Sequence, residues 1–204
     1  IWVRYSYMPR FLAWRRDRVK PAAEGWDVLS GHDLALLREK VAALALAGRL
    51  VEVKDATKPG LDEMRRDYIE HTDKTSPARF RELADVVAGP LASKALEGVK
   101  AEDAAVLLPW RAALSPASSF RKRGVVRFAH QGLDRDERTL LPSEYYRNFN
   151  ALKGAKKVII ADPMLATGGS VASAVEELKK SGFDEKDITL VSVVSAPEGI
   201  VRLA

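Results

Sequence analysis

The sequence predicts an α/β domain whose mainly parallel sheet is flanked by helices, and three observations support this fold class. From Leu50 onward, short apolar runs alternate with stretches in which apolar residues recur at helical spacing. In residues 158–180 an apolar strand run is followed by a glycine-rich turn and then by a helix. A further strand is predicted over residues 188–195. Strand–helix–strand units of this kind build parallel sheets that bind ligands at the carboxyl ends of their strands.

Local start and stop signals place the elements that precede this unit. A helix is predicted over residues 32–48, with Gly48 at its end. Ser76 begins a second helix because a proline follows it, and Gly89 and Pro90 are expected to close or kink that helix. In chain order, the other predictions are a strand at 50–53, a turn at 55–60, a helix at 61–71, a strand at 104–108, a solvated basic turn at 121–123 and a strand at 125–128.

Composition limits the kinds of site that the chain can hold. With 204 residues, of which 47% are hydrophobic and 30% charged, the chain is long enough for one sizeable core. It has no cysteine, which excludes disulfides and thiolate metal ligands. The three histidines, His32, His71 and His130, lack metal-ligand spacing, so no transition-metal site is predicted. No apolar run approaches the length that a transmembrane helix needs.

The net charge of +5 is concentrated at the amino terminus. Residues 1–20 hold six basic residues against one acidic residue, whereas the remaining 184 residues hold 27 of each. Residues 1–20 also hold five aromatic side chains. Residues 1–21 are therefore predicted as a basic aromatic arm and residues 22–204 as the domain. The arm is expected to dock on other protein subunits, with RNA or a membrane surface as alternatives. The other interpretation is a disordered tail or the remnant of an organellar presequence, which favours a mitochondrial location over a cytoplasmic one.

Residues 162–170, hereafter the cradle loop, join the strand at 158–161 to the following helix and combine features that bind a phosphate. Glycines let the backbone approach an anion, the two hydroxyls can donate hydrogen bonds, and the helix amino terminus adds N–H groups and a positive dipole. The carboxylate at the end of the strand can accept hydrogen bonds from a sugar diol. The alternative is a plain strand-to-helix turn with Ser170 as the N-cap. The predicted binding residues are Asp162, Ala166, Thr167, Gly168, Gly169 and Ser170.

The cradle loop has the sequence Asp-Pro-Met-Leu-Ala-Thr-Gly-Gly-Ser, which resembles the 5-phosphoribosyl-1-pyrophosphate signature of the uracil phosphoribosyltransferase family. Further similarity to that family is found at residues 78–83 (Ala-Arg-Phe-Arg-Glu-Leu), at residues 134–142 and at residues 196–199 (Ala-Pro-Glu-Gly). The resemblance implies a phosphoribosyltransferase-like, Rossmann-like fold. For an active member it implies conversion of uracil and phosphoribosyl pyrophosphate, with Mg²⁺, into UMP and pyrophosphate.

Other stretches depart from the family pattern and indicate a degenerate site. Ala113 and Ser115 stand where the family has glycines whose N–H groups approach the pyrophosphate, and side chains there obstruct that approach. Asp134 replaces a tyrosine of the family's flexible arm and puts a negative charge where a polyanion would bind. The Gly- and Asp-rich loop with which the family binds uracil is not found between Gly199 and Ala204.

These departures favour a non-catalytic, uracil phosphoribosyltransferase-like subunit with a structural role in a larger assembly, for which a mitochondrial complex is the expected setting. Retained phosphate or nucleotide binding is compatible with that role. Partner contacts are expected through residues 1–21 and through the arm at residues 131–149. In the family this arm closes over the active site and also makes dimer contacts, so a homodimer is a further expectation. The apolar residues of the arm have two interpretations, dimer contacts or core, and taken singly they are predicted as core: Leu140, Tyr145, Tyr146 and Phe149.

Two alternatives remain open at this stage. The first is an active uracil phosphoribosyltransferase that uses Mg²⁺, for which the resemblance makes Asp162, Arg111 and Arg135 the catalytic candidates. Chemistry of that kind depends on positioning and on charge stabilisation of the leaving pyrophosphate. The second is an allosteric sensor of phosphoribosyl pyrophosphate, which only a response to the ligand distinguishes from a structural subunit.

Overall fold

Seven strands form one sheet, which is parallel except for the antiparallel strand at one edge. From edge to edge the strands are β2 (Leu50–Glu52), β1 (Trp2–Arg4), β8 (Ile188–Val191), β6 (Lys157–Ala161), β3 (Ala104–Trp110), β4 (Arg127–Arg135) and β5 (Pro142–Asn148). Two short strands, β7 (Met164–Leu165) and β9 (Val194–Ser195), pair in parallel as a separate ribbon. The computed structural model describes residues 2–4, 31–53, 56–60, 62–63, 76–110, 116–135 and 142–204.

The helices that accompany the strands include α1 (Gly31–Leu46), α2 (Pro77–Ala95), α3 (Ala117–Arg121), α4 (Gly169–Lys180) and α5 (Pro197–Arg202). Short 3₁₀ turns lie at Ala101–Asp103, Asn150–Leu152 and Glu185–Asp187. The predicted class, a mainly parallel sheet flanked by helices, is confirmed. None of the helices within the described ranges is long and apolar enough to cross a membrane.

The helices cover both faces of the sheet because its central strands are apolar on both sides. Along β3, Val106 and Leu108 face α2 and α3, whereas Leu107 faces the layer that contains α1, α4 and α5. Strand β6 alternates in the same way, with Ile159 on the first face and Ile160 on the second. All five of these side chains are at most 1% exposed. The two apolar layers together form the core that fixes the strand ends.

The order in which the chain adds strands to the sheet reverses between β3 and β6, which are parallel neighbours. From β3 the chain continues through α3 to β4 on one side, and from β6 it continues through α4 to β8 on the other side. Connections that diverge in this way leave a crevice between the two strands at their carboxyl ends. The segments that follow β3 and β6 therefore flank one crevice, and the cradle loop is one of them.

Several predicted boundaries differ from the structure. Residues 56–60 are helical where a turn was predicted, and of the helix predicted at 61–71 only residues 62–63 are described, both of them helical. Helix α2 begins at its Ser76 cap as predicted, with Ser76 Oγ accepting from Arg79 N at 3.1 Å. It continues through Pro90 to Ala95, so of the two predicted effects of Gly89 and Pro90, closing or kinking the helix, closure is wrong.

The basic cluster at residues 121–123 leads from the end of α3 into a turn, and Arg121 and Lys122 are exposed, so the predicted solvated turn is confirmed for most of the cluster. Lys122 Nζ donates to Asp85 Oδ2 at 2.6 Å, and Arg123 Nε donates to Ser93 Oγ at 2.8 Å, so both cations tie the end of α3 to α2. Burial of Asp85 favours its neutral form, but hydrogen bonds from Lys122, Ser118 and Ser119 outweigh that effect and hold the pKa of this carboxyl below its usual value.

Strand β1 changes the interpretation of the amino-terminal arm. Trp2 pairs with Leu50 of β2 and with Leu190 of β8, so Trp2–Arg4 is an internal strand of the sheet and not part of a separate arm. Residues 5–30 lie outside the described residues. The predicted boundary at residue 21, and the contacts expected of the arm with protein, RNA or membrane, therefore stay predictions.

Candidate functional site

Asp162 follows β6 directly and occupies the centre of the sheet's carboxyl edge. Its backbone N–H donates to Val191 O at 3.0 Å, which extends the pairing of β6 with β8 by one residue. Its Oδ1 accepts from Met164 N at 3.2 Å, and this local bond closes the first turn of the cradle loop. Burial raises the pKa of Asp162 to about 6, although the Met164 hydrogen bond opposes that shift. The predicted ribose-binding carboxylate thus lies at the crevice, where main-chain pairing fixes the position of its backbone.

A network of hydrogen bonds fixes the middle of the cradle loop against the segment after β8. Leu165 N donates to Ser192 Oγ at 3.2 Å, and Ser192 Oγ donates to Val194 O at 2.9 Å. Leu165 O in turn accepts from Ala196 N at 2.7 Å. Because β7 and β9 also pair in parallel here, the loop is held along its length by main-chain bonds. The strand predicted over residues 188–195 is correspondingly split into β8 and β9.

The first backbone N–H groups of α4 have no hydrogen-bond acceptor among the described residues. Gly168 is the N-cap residue, with a left-handed backbone (φ 77°) that favours glycine, and no side chain caps the helix. The alternative in which Ser170 is the N-cap does not hold, because Ser170 lies inside the first turn. The first main-chain bond of the helix runs from Ala172 N to Gly168 O at 2.8 Å, so the N–H groups before it have no acceptor within the helix. Such a terminus binds anions.

Helix α5 lies directly against the cradle loop, and Gly199 allows it to do so. A Cβ placed on Gly199 would lie 2.3 Å from Ala166 O and 3.0 Å from Leu165 Cγ. Gly168 meets the same helix, since a Cβ there would lie 3.2 Å from Gly199 O. The sequence indicated Gly199 only as part of a family string. Its role in seating α5 depends on a contact between distant segments that no local pattern reveals.

Arg202 brings a cation to the cradle loop that the sequence analysis missed. Its Nη1 donates to Thr167 O at 3.4 Å and would lie 3.6 Å from a Cβ on Gly169. The side chain is exposed. No signal in the sequence could have identified it, because a single arginine in the last turn of a helix is ordinary.

Most of the other predicted site residues lie outside the part of the chain that the structure describes. Arg111, Ala113 and Ser115 lie outside the described residues, as does Leu140, and Arg135 is described only by its backbone at the end of β4. Asp134 is exposed on β4, in register with Ser143 of β5. The structure therefore brings together residues 162–170, α5 and the end of β3. It does not test the assignment of Arg111 or Arg135.

Aromatic residues gather where β3 ends. The Trp110 and Tyr146 rings stack with centroids 4.7 Å apart, and Trp110 Nε1 donates to His130 Nδ1 at 3.0 Å. Burial lowers the pKa of His130. Tyr145 and Tyr146 of β5 are 57% and 38% exposed, so the prediction that they belong to the core is wrong. They lie on the edge strand of the sheet, where one side of the ladder has no described partner strand.

Side chains link the β4–β5 hairpin to the cradle helix. Gln131 Nε2 donates to Glu144 Oε2 at 2.7 Å, and Arg147 Nε donates to Glu144 Oε1 at 2.8 Å. Arg147 also forms an ion pair with Glu177 of α4 and lies 5.4 Å from the centre of the Phe149 ring. The hairpin therefore does not stand apart from the domain, as a fully detached arm would.

Two features lie outside the crevice. A cavity of about 520 Å³ is found at the opposite end of the sheet, before β6 begins and after α4 ends. It is lined by residues 149–150, 152–155 and 181–183. Within the described ranges, no three histidine or acidic side chains gather closely enough to hold a metal ion. Neither observation adds a residue to the cradle loop site.

Comparison with known proteins places these features in a family context. The family model for uracil phosphoribosyltransferase matches residues 114–204. A uracil phosphoribosyltransferase of Salinibacter ruber is 32% identical over 64% of this chain and 70% of its own length. One of Bacillus pumilus is 35% identical over 63% of this chain and 70% of its own length. Among solved structures, the AQ2163 protein of Aquifex aeolicus aligns with a TM-score of 0.55 and 28% identity, covering 64% of this chain and 71% of that one.

Gly199→Ala should destabilise the protein because the new methyl group would overlap the Ala166 carbonyl. We expect the free energy of unfolding to fall by about 2–4 kcal/mol in urea denaturation. Gly169→Ala is the matched control, since its methyl group meets nothing nearer than 3.6 Å. Inside a helix that change should be neutral or stabilising by about 0.5–1 kcal/mol. A Gly199→Ala protein as stable as wild type would contradict the close seating of α5.

The raised pKa of Asp162 predicts a distinct dependence of stability on pH. Between about pH 4 and 6 the folded protein holds a proton that the unfolded chain has released, so the folded state loses stability as pH rises through this window. Asp162→Asn removes that loss. The variant's unfolding free energy, relative to wild type, should therefore increase by about 2–3 kcal/mol from pH 4 to pH 7. Asp184→Asn, on an exposed turn at the opposite end of the sheet, is the control. A flat difference for Asp162→Asn would show that its carboxyl is not protonated at pH 5.

Proposed function

The chain belongs to the uracil phosphoribosyltransferase family, and on that premise we propose that its cradle loop binds the ribose 5-phosphate end of phosphoribosyl pyrophosphate. The observation that supports this most directly is the uncapped amino end of α4 behind the left-handed Gly168. Helix termini of this kind favour phosphate because their N–H groups and dipole act together. Thr167 and Ser170 add hydroxyl donors, and both are only half-buried, so a ligand can reach them.

Asp162 is suited to hold the sugar in the same site. Its Oδ1 is engaged by Met164 N, and within the described residues no hydrogen bond is made to Oδ2. Above about pH 6 the carboxyl is ionised and can accept hydrogen bonds from ribose hydroxyls. Since no metal-binding cluster gathers among the described side chains, we expect Mg²⁺ to arrive on the diphosphate oxygens of the ligand. Bound there, it would neutralise charge on the diphosphate.

Calorimetric titration of phosphoribosyl pyrophosphate with Mg²⁺ into the purified chain tests this proposal. At pH 7.5 we expect saturable binding, and Asp162→Asn should weaken it at least about tenfold because the ribose loses a charged acceptor. Asp184→Asn, which lies at the amino end of the sheet, should bind as wild type does. Absence of heat at millimolar ligand, with correctly folded protein, would overturn the proposal.

We further infer that the chain binds this ligand without turning over uracil. The observation that favours this is the sequence at residues 113–115, where Ala113 and Ser115 replace the glycines that the family pattern has in its pyrophosphate loop. Side chains there would keep backbone N–H groups away from the leaving pyrophosphate. The loss of hydrogen-bond donors to the charge that develops on this group in the transition state would lower the reaction rate. The exposed Tyr145 and Tyr146 on the edge strand offer a surface for the subunit partners expected of a structural role.

Formation of UMP from labelled uracil and phosphoribosyl pyrophosphate, with Mg²⁺, tests this second inference. We expect a rate at least about a hundredfold below that of the Bacillus pumilus relative assayed alongside, because oxyanion-type donors contribute on that scale. The assay uses protein whose ligand binding has been confirmed by calorimetry, so a failed site and a failed preparation are distinguishable. A rate similar to that of the relative would establish an active enzyme instead.

A further inference from the structure

We propose that Arg202 is a ligand-binding residue, whose guanidinium completes the phosphate site at the amino end of α4. The inference rests on the proposed function, because it names a further residue for the phosphate held by the cradle loop. It assigns a role to a side chain from outside that loop. The ligand that it favours is a phosphate monoester, which carries up to two negative charges.

The position of Arg202 is set by the packing of α5. Because residue 199 is a glycine, the backbone of α5 can lie directly against Ala166 O. Leu203 packs beside Gly168, since a Cβ on Gly168 would lie 3.2 Å from Leu203 Cδ1. Arg202, between Gly199 and Leu203 on a helix of six residues, is therefore held beside the loop. Its Nη1 reaches Thr167 O at 3.4 Å, which is a long and weak hydrogen bond that occupies only one of its five N–H donors.

This placement is electrostatically unfavourable in the absence of an anion. The amino end of α4 carries a partial positive charge, and the guanidinium would lie 3.6 Å from a Cβ on Gly169, the first residue of that helix. Cations normally avoid this end of a helix. Within the described ranges no carboxylate forms an ion pair with Arg202 to offset the repulsion. A dianionic phosphate would meet both the helix end and the guanidinium, and would remove the conflict.

The one acidic residue suitably spaced on the same helix does not neutralise Arg202. Glu198 precedes it by four residues, a spacing at which such pairs usually form. The structure has no ion pair between them, and Glu198 Oε2 is buried with no hydrogen-bond partner in the described part of the chain. The last turn of α5 favours a basic residue, which accounts for a cation at position 202. It does not account for the contact of the side chain with Thr167 O and its approach to the first residue of α4.

Titration of ribose 5-phosphate into wild type, Arg202→Gln and Arg202→Lys tests the assignment. Ribose 5-phosphate lacks the diphosphate, so its affinity reports the phosphate and ribose contacts of the cradle loop without those of the diphosphate. We expect Arg202→Gln to bind about tenfold more weakly, Arg202→Lys to stay within about threefold of wild type, and the wild-type affinity to fall with added salt. Lys153→Gln removes the same charge from the turn before β6, at the opposite end of the sheet, and should bind as wild type does.

The outcomes separate this inference from the proposed function. If wild type binds and Arg202→Gln binds equally well, Arg202 has no role in the site, while the cradle loop still binds phosphate. If Arg202→Lys is as weak as Arg202→Gln, the effect is not one of charge and the assignment is wrong. If wild type binds neither ribose 5-phosphate nor phosphoribosyl pyrophosphate, both proposals fall. Thermal melting of each variant checks folding, and Arg202 is exposed, so we expect unchanged melting temperatures.

Discussion

The pairing of β6 with β8 continues beyond the ends of both strands, and the site depends on that continuation. In the first bond of this continuation, Asp162 N donates to Val191 O. Next, Val193 N and Val194 N both donate to Pro163 O. In the last bond, Ala196 N donates to Leu165 O. Backbone groups that a loop would otherwise leave to water are thus paired. Both segments of this ladder lead into a helix: the segment after β6 continues into α4, and the segment after β8 continues into α5. The positions of both helices therefore follow from one set of main-chain bonds.

Much of the architecture could be predicted from sequence because it is encoded locally. The apolar runs of β3 and β6, the Ser76 cap and the helix after the glycine pair all have signals within a few residues. The class of fold follows from their order. The cradle loop was also identifiable, since glycines, hydroxyls and a carboxylate stand next to one another in the chain.

What could not be predicted depends on contacts between distant segments. The seating of α5 on Ala166 and the reach of Arg202 to Thr167 O join residues more than 30 positions apart. The insertion of Trp2–Arg4 between β2 and β8 is another such case, because a basic and aromatic composition gives no sign of an internal strand. Tyr145 and Tyr146 show the opposite error. Large aromatic rings suggest burial, but an edge strand leaves them at the surface.

The close contact of Gly199 with Ala166 also bears on how such a domain can change over evolutionary time. Selection for folding alone would retain a glycine at 199 and a left-handed glycine at 168, whatever the ligand. A lineage that lost its substrate would still be obliged to keep part of the signature, while a surface turn that contributes nothing to the core would be free to drift. Survival of the glycine-rich string and survival of the reaction are therefore separate events in the history of this fold. An intact string marks common descent more securely than it marks present chemistry.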